Sequence, residues 1–356
     1  MAAGPVLFVS YSGVLGGAER ILVDAATRAG LPAIVACPEG ALATAARAAG
    51  LPVATTAART LQLRGRPADA AAHLAGLAGL ARDVARLSRG AHRTAALVAW
   101  GARAILATAL LPRRARAPVL AVHCDLPPAG AVGRALQAAT ARADGVAALS
   151  HAIAGAVAPR ATVLHPGVDP AAWTPAPLPS GPPRALVLAA LVPWKRPDVA
   201  LEVGARLPDL HLDLAGAPMP GDDEGYVASL RRRAAEPDLR GRVTFLGAIP
   251  DARAALARAH LLLHCSDAEP YGLALVEALA AGRPVVAPAA GGPAEIVGDG
   301  AGALFPPGDA GAAAAAVRAV LADPGAPMAA RARAERRFDV AASTERLRAA
   351  LAALPG

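Results

Sequence analysis

A chain of 356 residues is long for one hydrophobic core and natural for two domains. With 54% apolar residues and only 3% aromatics it is not a disordered polymer, and its cores must be built from Ala, Val and Leu. The charge of +8 is uneven: residues 1–170 hold 17 arginines against eight acids, net +9, while residues 171–356 hold 19 cations against 20 acids, net −1. Cys37, Cys124 and Cys265 share no paired spacing, which points to a reducing cytoplasm and away from a cysteine metal knuckle.

The N-terminal MAAGPVLFVSYSG has no positively charged lead, so its apolar run reads as a first strand over residues 5–10 and not as a secretory signal. YSGVLGGAE is a glycine-rich turn entering a helix at about 18–29. Gly16 and Gly17 there let the backbone approach a ligand at a helix N-terminus. A dinucleotide-binding fold would want G-x-G-x-x-G at this turn, and it is not present. Strands follow at 33–37 and 53–56 with a helix near 42–49 between them.

From Arg59 to Arg116 there are 11 arginines against Asp69 and Asp83. Within that region Leu74, Leu77, Leu80, Val84 and Leu87 form one apolar helical stripe, with Arg82, Arg86 and Arg89 off it. Two readings stand open: a solvated basic face, or a surface for an anionic partner, either a bilayer or a phosphorylated acceptor lipid. Nucleic acid is disfavoured, because the region has no aromatics to stack bases and no recognised motif. The apolar stretch 94–111 carries Arg103 near its middle and reads as a strand followed by a short helix, not a membrane span.

Further strands are expected at 118–123, 143–149 and 161–165, with Ser150 capping a helix. His123 ends the first of these, in AVHCDLPP; by position alone it is either a structural residue or a group facing a ligand. Cys124 and Asp125 adjoin it, but strand neighbours point to opposite faces, so the three do not make a metal site. Asp125 could orient an acceptor hydroxyl.

Seven prolines between 166 and 183 mark a connector. Strands then restart at 184–191, 211–215, 243–246, 259–263 and 285–287, alternating with helices. This predicts two parallel α/β sheets, two Rossmann-like domains facing each other across a cleft, followed by a final helix. The boundaries fall at 1–170, 171–339 and 340–356. Lys195, in LVPWKRPDV, is the only lysine beside 35 arginines, which suggests a site where a compact ammonium is needed. Asp222, Asp223 and Glu224 form an acidic loop, but no D-x-D stands at a strand end.

The densest stretch is HCSDAEPYGLALVEALAAGRPVVAPAAGGPAEI, residues 264–296. It reads as strand end, turn, helix, strand and a second loop, with His264 and Cys265 taken as packing residues. Glu269 lies in the turn and Glu277 about two helical turns on. The N–H groups of Tyr271, Gly272, Leu273 and Ala274 lie between them at the helix start. On spacing alone this is either a capped helix with two incidental acids or a site for hydroxyl and phosphate groups.

The run E-P-Y-G-L-A-L-V-E-A-L-A-A-G-R-P-V-V-A followed by G-G-P-A-E-I-V resembles the donor-binding signature of the family-4 retaining glycosyltransferases, which have the GT-B fold. The resemblance implies a metal-independent hexosyltransferase that uses a nucleotide diphosphate sugar and no cofactor. It implies that Glu269 binds sugar hydroxyls and Glu277 the ribose. Lys195, Arg196, Gly17 and the amides after Glu269 would hold the diphosphate, and Gly247 would lie by the nucleobase. His123 would contact the transferred sugar, Gly16 and Asp125 the acceptor. The family's usual arginine five residues before Lys195 is Ala190 here. The competing expectations are a catalytically silent nucleotide-sugar binder and an NAD-dependent oxidoreductase. The family also has a final helix that packs back on the first domain, and the basic first domain suggests a location on the inner membrane face.

Overall fold

The computed structural model describes residues 4–59, 70–89, 94–218, 224–298 and 300–355. The expected acidic pair Asp222 and Asp223, and part of the basic region with Asp69, lie outside these residues. The chain divides into two compact units, one up to Pro166 and again from Ala341, the other Gly167–Val340.

The first unit alternates strand and helix: β1 (Val6–Ser10), α1 (Gly17–Arg28), β2 (Ala33–Pro38), α2 (Ala41–Ala48), β3 (Val53–Thr56) and α3 (Ala70–Ser88). It continues with β4 (Ala96–Trp100), α4 (Ala102–Ala109), β5 (Val119–His123), α5 (Gly130–Thr140), β6 (Gly145–Ala148), α6 (His151–Val157) and β7 (Thr162–Val163). The strands form one sheet in the order β3-β2-β1-β4-β5-β6-β7. Every residue of β1, β4 and β5 is buried, as a parallel sheet covered on both faces requires.

Helix α3 departs from its expected stripe. Leu80 and Val84 are buried, but Leu74 is 66% exposed, because only the second half of the helix lies against the core. The apolar stretch 94–111 divides into β4 and α4 at Gly101, whose φ of +82° suits glycine. Among the described residues no helix is long and apolar enough to cross a membrane.

The second unit has β8 (Arg184–Leu188), α7 (Pro197–Arg206), β9 (His211–Ala215), α8 (Glu224–Ala234), β10 (Val243–Gly247), α9 (Arg253–Ala257) and β11 (Leu261–Leu263). Then, before α14 (Val340–Ala352), the unit has α10 (Leu273–Ala280), β12 (Val285–Pro288), α11 (Gly292–Ile296), β13 (Gly302–Phe305), α12 (Ala310–Ala322) and α13 (Ala326–Arg337). Its sheet runs β10-β9-β8-β11-β12-β13, again parallel. In both sheets the first strand pairs on each side, β1 with β2 and β4, β8 with β9 and β11. That reversal of strand order opens a crevice at the carboxyl ends, where loops collect ligands.

The proline connector is held by arginines. Prolines have no N–H to pair, and the carbonyls of this stretch take side-chain donors instead. Arg283 is 1% exposed; its Nε donates to Leu256 O at 2.9 Å and its terminal nitrogen to Ala176 O at 2.8 Å and Pro177 O at 3.1 Å. Arg331 donates to Pro170 O at 3.0 Å and to Trp173 O. From Ala341 onward α14 belongs to the first unit, where Arg348 Nε donates to Ala29 O at 2.6 Å and Arg346 to Leu164 O at 3.0 Å.

Candidate active site

The second unit concentrates charge at its switch point. Lys195 closes a short turn after β8, and Glu269 lies in the loop after β11, so neighbouring strands deliver the two groups. Lys195 Nζ donates to Glu269 Oε2 at 2.5 Å and stands 4.4 Å from the centre of the Trp194 ring. Ser266 Oγ donates to Trp194 O at 3.2 Å and ties the two loops together. Glu269 is 9% exposed. Burial pushes its carboxyl up, but the neighbouring His264 imidazole and the ammonium of Lys195 outweigh burial and hold it at about 2.

His264 is therefore more than packing, which corrects the expectation. It is 5% exposed, and its Nε2 lies 3.4 Å from Glu269 Oε2, the oxygen that Lys195 also takes. Cys265 keeps the packing role: its thiol is buried in the second core. Sequence reasoning missed His264 because nothing in its spacing shows that the chain folds back to bring residue 269 against it.

The Gly291–Gly292 pair explains how the Glu269 loop is held. Gly292 N donates to Glu269 O at 2.9 Å. A Cβ on Gly291 would lie 2.3 Å from Glu269 O, and one on Gly292 would lie 2.0 Å from Tyr271 O, so the two backbones meet only without side chains. Gly272 precedes α10 with φ +105°, and no side chain caps that helix. The amides of Leu273 and Ala274 are in its first turn, where no intrahelical acceptor exists. Glu277 is half-buried in the same helix. The structure thus brings Lys195, Glu269, Tyr271, Gly272, Leu273 and Ala274 to one crevice, with Glu277 further along α10.

Arg196 is placed differently. It has left-handed backbone, φ +53°. Its guanidinium bonds Asp267 at 2.6 Å and Asp198 at 3.1 Å, and Asp198 also accepts from the Tyr226 hydroxyl at 2.9 Å. The two carboxylates raise its basicity and engage the group expected to help Lys195. Gly247 ends β10 with φ +69°, and its carbonyl accepts from Gly216 N at 2.8 Å.

In the first unit, Gly16 and Gly17 open α1, and Gly16 N donates to Glu19 Oε2 at 3.1 Å. Glu19 was legible as an acid three residues into a helix and was not singled out. Burial raises its carboxyl, and the charge of Asp125 in the loop after β5 adds to the rise. His123 ends β5 with its ring buried, its Nε2 3.0 Å from Thr140 Oγ1. The Thr140 hydroxyl gives its one proton to Leu136 O at 2.8 Å, so it accepts from His123, whose proton sits on Nε2. Burial lowers this imidazole to about 4. Beside it lies a cavity of about 260 Å³ lined by Pro127, Pro128, Arg134 and Gln137 among others.

Residues 174–337, nearly the whole of the second unit, match the model of the family glycosyl transferases group 1. D-inositol 3-phosphate glycosyltransferase of Mycolicibacterium gilvum is 39% identical over 176 residues, 46% of this chain and 38% of that protein. The match thus spans well under half the length of such curated relatives. The Anabaena protein HepE, solved with UDP and glucose, superposes with a TM-score of 0.86 at 26% identity, over 99% of this chain and 100% of that one. Sucrose-phosphate synthase from Thermosynechococcus elongatus gives 0.79 at 20% identity over 97% of each chain. The fold is GT-B, two parallel-sheet α/β domains.

Proposed function

We propose that the protein is a retaining glycosyltransferase that moves a hexose from a nucleoside diphosphate sugar to a hydroxyl acceptor without a metal. The observation that carries this is the buried Lys195–Glu269 pair at the N-terminus of α10, inside the family-matched segment. An ammonium beside helix amides suits a diphosphate, and a carboxylate held ionised suits sugar hydroxyls. Glu277 takes the ribose, and Lys195 with the amides of Leu273 and Ala274 stabilises the leaving phosphate. Neither glutamate has a nucleophile's setting: Glu269 is clasped by two cations or donors and Glu277 is two turns away. Front-face departure and attack, with the leaving phosphate taking the acceptor proton, is the route this favours.

His123, neutral and donating through Nε2 to Thr140, has Nδ1 as its acceptor atom and orients a hydroxyl; it does not deliver a proton at neutral pH. Asp125 and Gly16 face the acceptor, which we take to be lipid-linked and used in cell-envelope glycan synthesis at the cytoplasmic face. The net +9 of residues 1–170 is what supports an anionic membrane surface. Flotation with vesicles tests that part: equal binding to neutral and anionic lipid removes it.

The deciding experiment is the melting temperature with UDP, GDP, ADP, dTDP or NAD in EDTA, since a ligand of the native state raises it. UDP comes first because HepE was solved with it. A rise with one nucleoside diphosphate and none with NAD is expected. A rise with NAD alone sinks the transferase reading in favour of an oxidoreductase, and donor binding without turnover leaves a silent binder.

A further inference from the structure

Two donors compete for one oxygen of Glu269. Lys195 Nζ holds Oε2 at 2.5 Å, while His264 Nε2 waits 3.4 Å from the same atom, just beyond the roughly 2.9 Å of an ordinary N–H···O bond. The imidazole does not wander: His264 N donates to Val286 O at 2.8 Å, which fixes it at the end of β11 against β12, and the ring is buried. Among the described residues its Nε2 has no partner at hydrogen-bond geometry. A buried imidazole nitrogen without an acceptor is costly unless an acceptor comes to it in another state of the site.

We infer that His264 is a positioning residue: when a diphosphate draws the Lys195 ammonium away, Glu269 settles onto His264 Nε2 and stays aimed at the sugar. The reading rests on the proposed donor site. The same ammonium cannot give its full charge to both a buried carboxylate and a leaving phosphate, so a carboxylate with Lys195 as its sole partner would lose its orientation as the donor bound. A second donor removes that conflict. Among the described residues the groups facing Glu269 are Lys195 from the turn after β8 and His264 from the end of β11; Gly291 and Gly292 bring only backbone, and Arg196 is held by Asp198 and Asp267. The depression of the Glu269 carboxyl to about 2 agrees with both donors acting on it.

The test compares His264→Gln, which keeps an N–H donor near the Nε2 position, with His264→Leu, which keeps bulk alone. Calorimetric affinities are measured for UDP and for UDP-glucose. The expected result is that the Gln variant stays within about threefold of wild type for both, while the Leu variant loses roughly tenfold for UDP-glucose and little for UDP. Equal affinities of the two variants for UDP-glucose, where wild type binds it, overturn the inference. If wild type binds no nucleotide, the donor-site reading fails, and a second readout still decides the contact.

That readout is the melting temperature from about pH 6 to about pH 3. A carboxyl held below its unfolded value contributes stability above the ordinary glutamate range, and this is lost as pH falls toward the folded value. Removing His264 as donor raises the folded value and shrinks that contribution. The Gln variant should therefore melt above the Leu variant at pH 6, with the gap closing on acidification. A pH-independent gap, or none, means the imidazole does not act on Glu269.

Discussion

The two sheets share an order of strands around the switch point but put opposite kinds of group there. In the second unit the loops after β8 and β11 bring an ammonium, a carboxylate and an imidazole within a few ångströms, all largely shielded from water. In the first unit the turn after β1 offers backbone amides capped by Glu19, and the strand end of β5 offers a histidine that burial keeps neutral. The first arrangement stores charge that a phosphate and a sugar can exchange for their own. The second sets the Arg103 guanidinium near Glu19 and a neutral imidazole at the strand end, and is suited to orienting hydroxyls.

The sharpest way to break this contrast is to take the charge out of the second unit. Lys195→Ala should slow transfer by about 10²–10³-fold with a smaller change in donor affinity, the usual consequence of removing one preorganised donor from a developing anion. Single-turnover rates at saturating donor check it; a loss confined to affinity would show that Lys195 binds ground state and transition state alike. Next comes the frame of the same unit. Arg283→Leu strands the buried carbonyl of Leu256, frees the more exposed ones of Ala176 and Pro177, and should cost about 2 kcal/mol in urea unfolding, chiefly because the buried acceptor loses its donor. Unchanged stability would mean that water replaces the guanidinium and that the connector is not anchored there.

How much of this was legible follows the same contrast. The second unit's site lies in one contiguous stretch plus Lys195, and glycines that cannot accept a Cβ marked where its loops touch. Periodicity therefore showed the alternating fold, Lys195 stood out as the only lysine, and Glu269 and Glu277 stood out through their spacing and the resemblance of the stretch that holds them. It could not find His264 acting on Glu269, because five residues of separation in a turn carry no period. Nor could it see that Arg196 turns toward Asp198 and Asp267, which depends on a left-handed residue at the start of α7. In the first unit the groups come from β1, β5 and α5, far apart in sequence. Thr140 as the partner of His123 could not be read from a helix pattern, and Leu74 was placed in a buried stripe because amphipathicity does not say where the neighbouring element ends.

A smaller effect separates the two glutamates. If Glu277 takes the ribose as proposed, Glu277→Ala should weaken nucleotide affinity about tenfold, some 1.4 kcal/mol, while the transfer rate at saturation changes little. Equal damage to rate and affinity would place Glu277 at the reacting centre and remove the division of labour between the two acids.

The smallest perturbation is also the most direct probe of the first unit. Nitrogen-15 spectra of His123 should show a neutral ring protonated at Nε2 through the physiological range, with protonation setting in only near pH 4. The sign follows from burial, which disfavours the cation in the folded chain relative to the unfolded one at about 6.5. Stability linked to His123 is thus fully present above that unfolded value and falls as pH drops toward 4. Thr140→Val removes the acceptor that fixes the tautomer and should let the Nδ1–H form appear without shifting the fold. A His123 titrating at its ordinary value would put an imidazolium at the end of β5 already in mildly acid solution, and burial would not be what sets its charge.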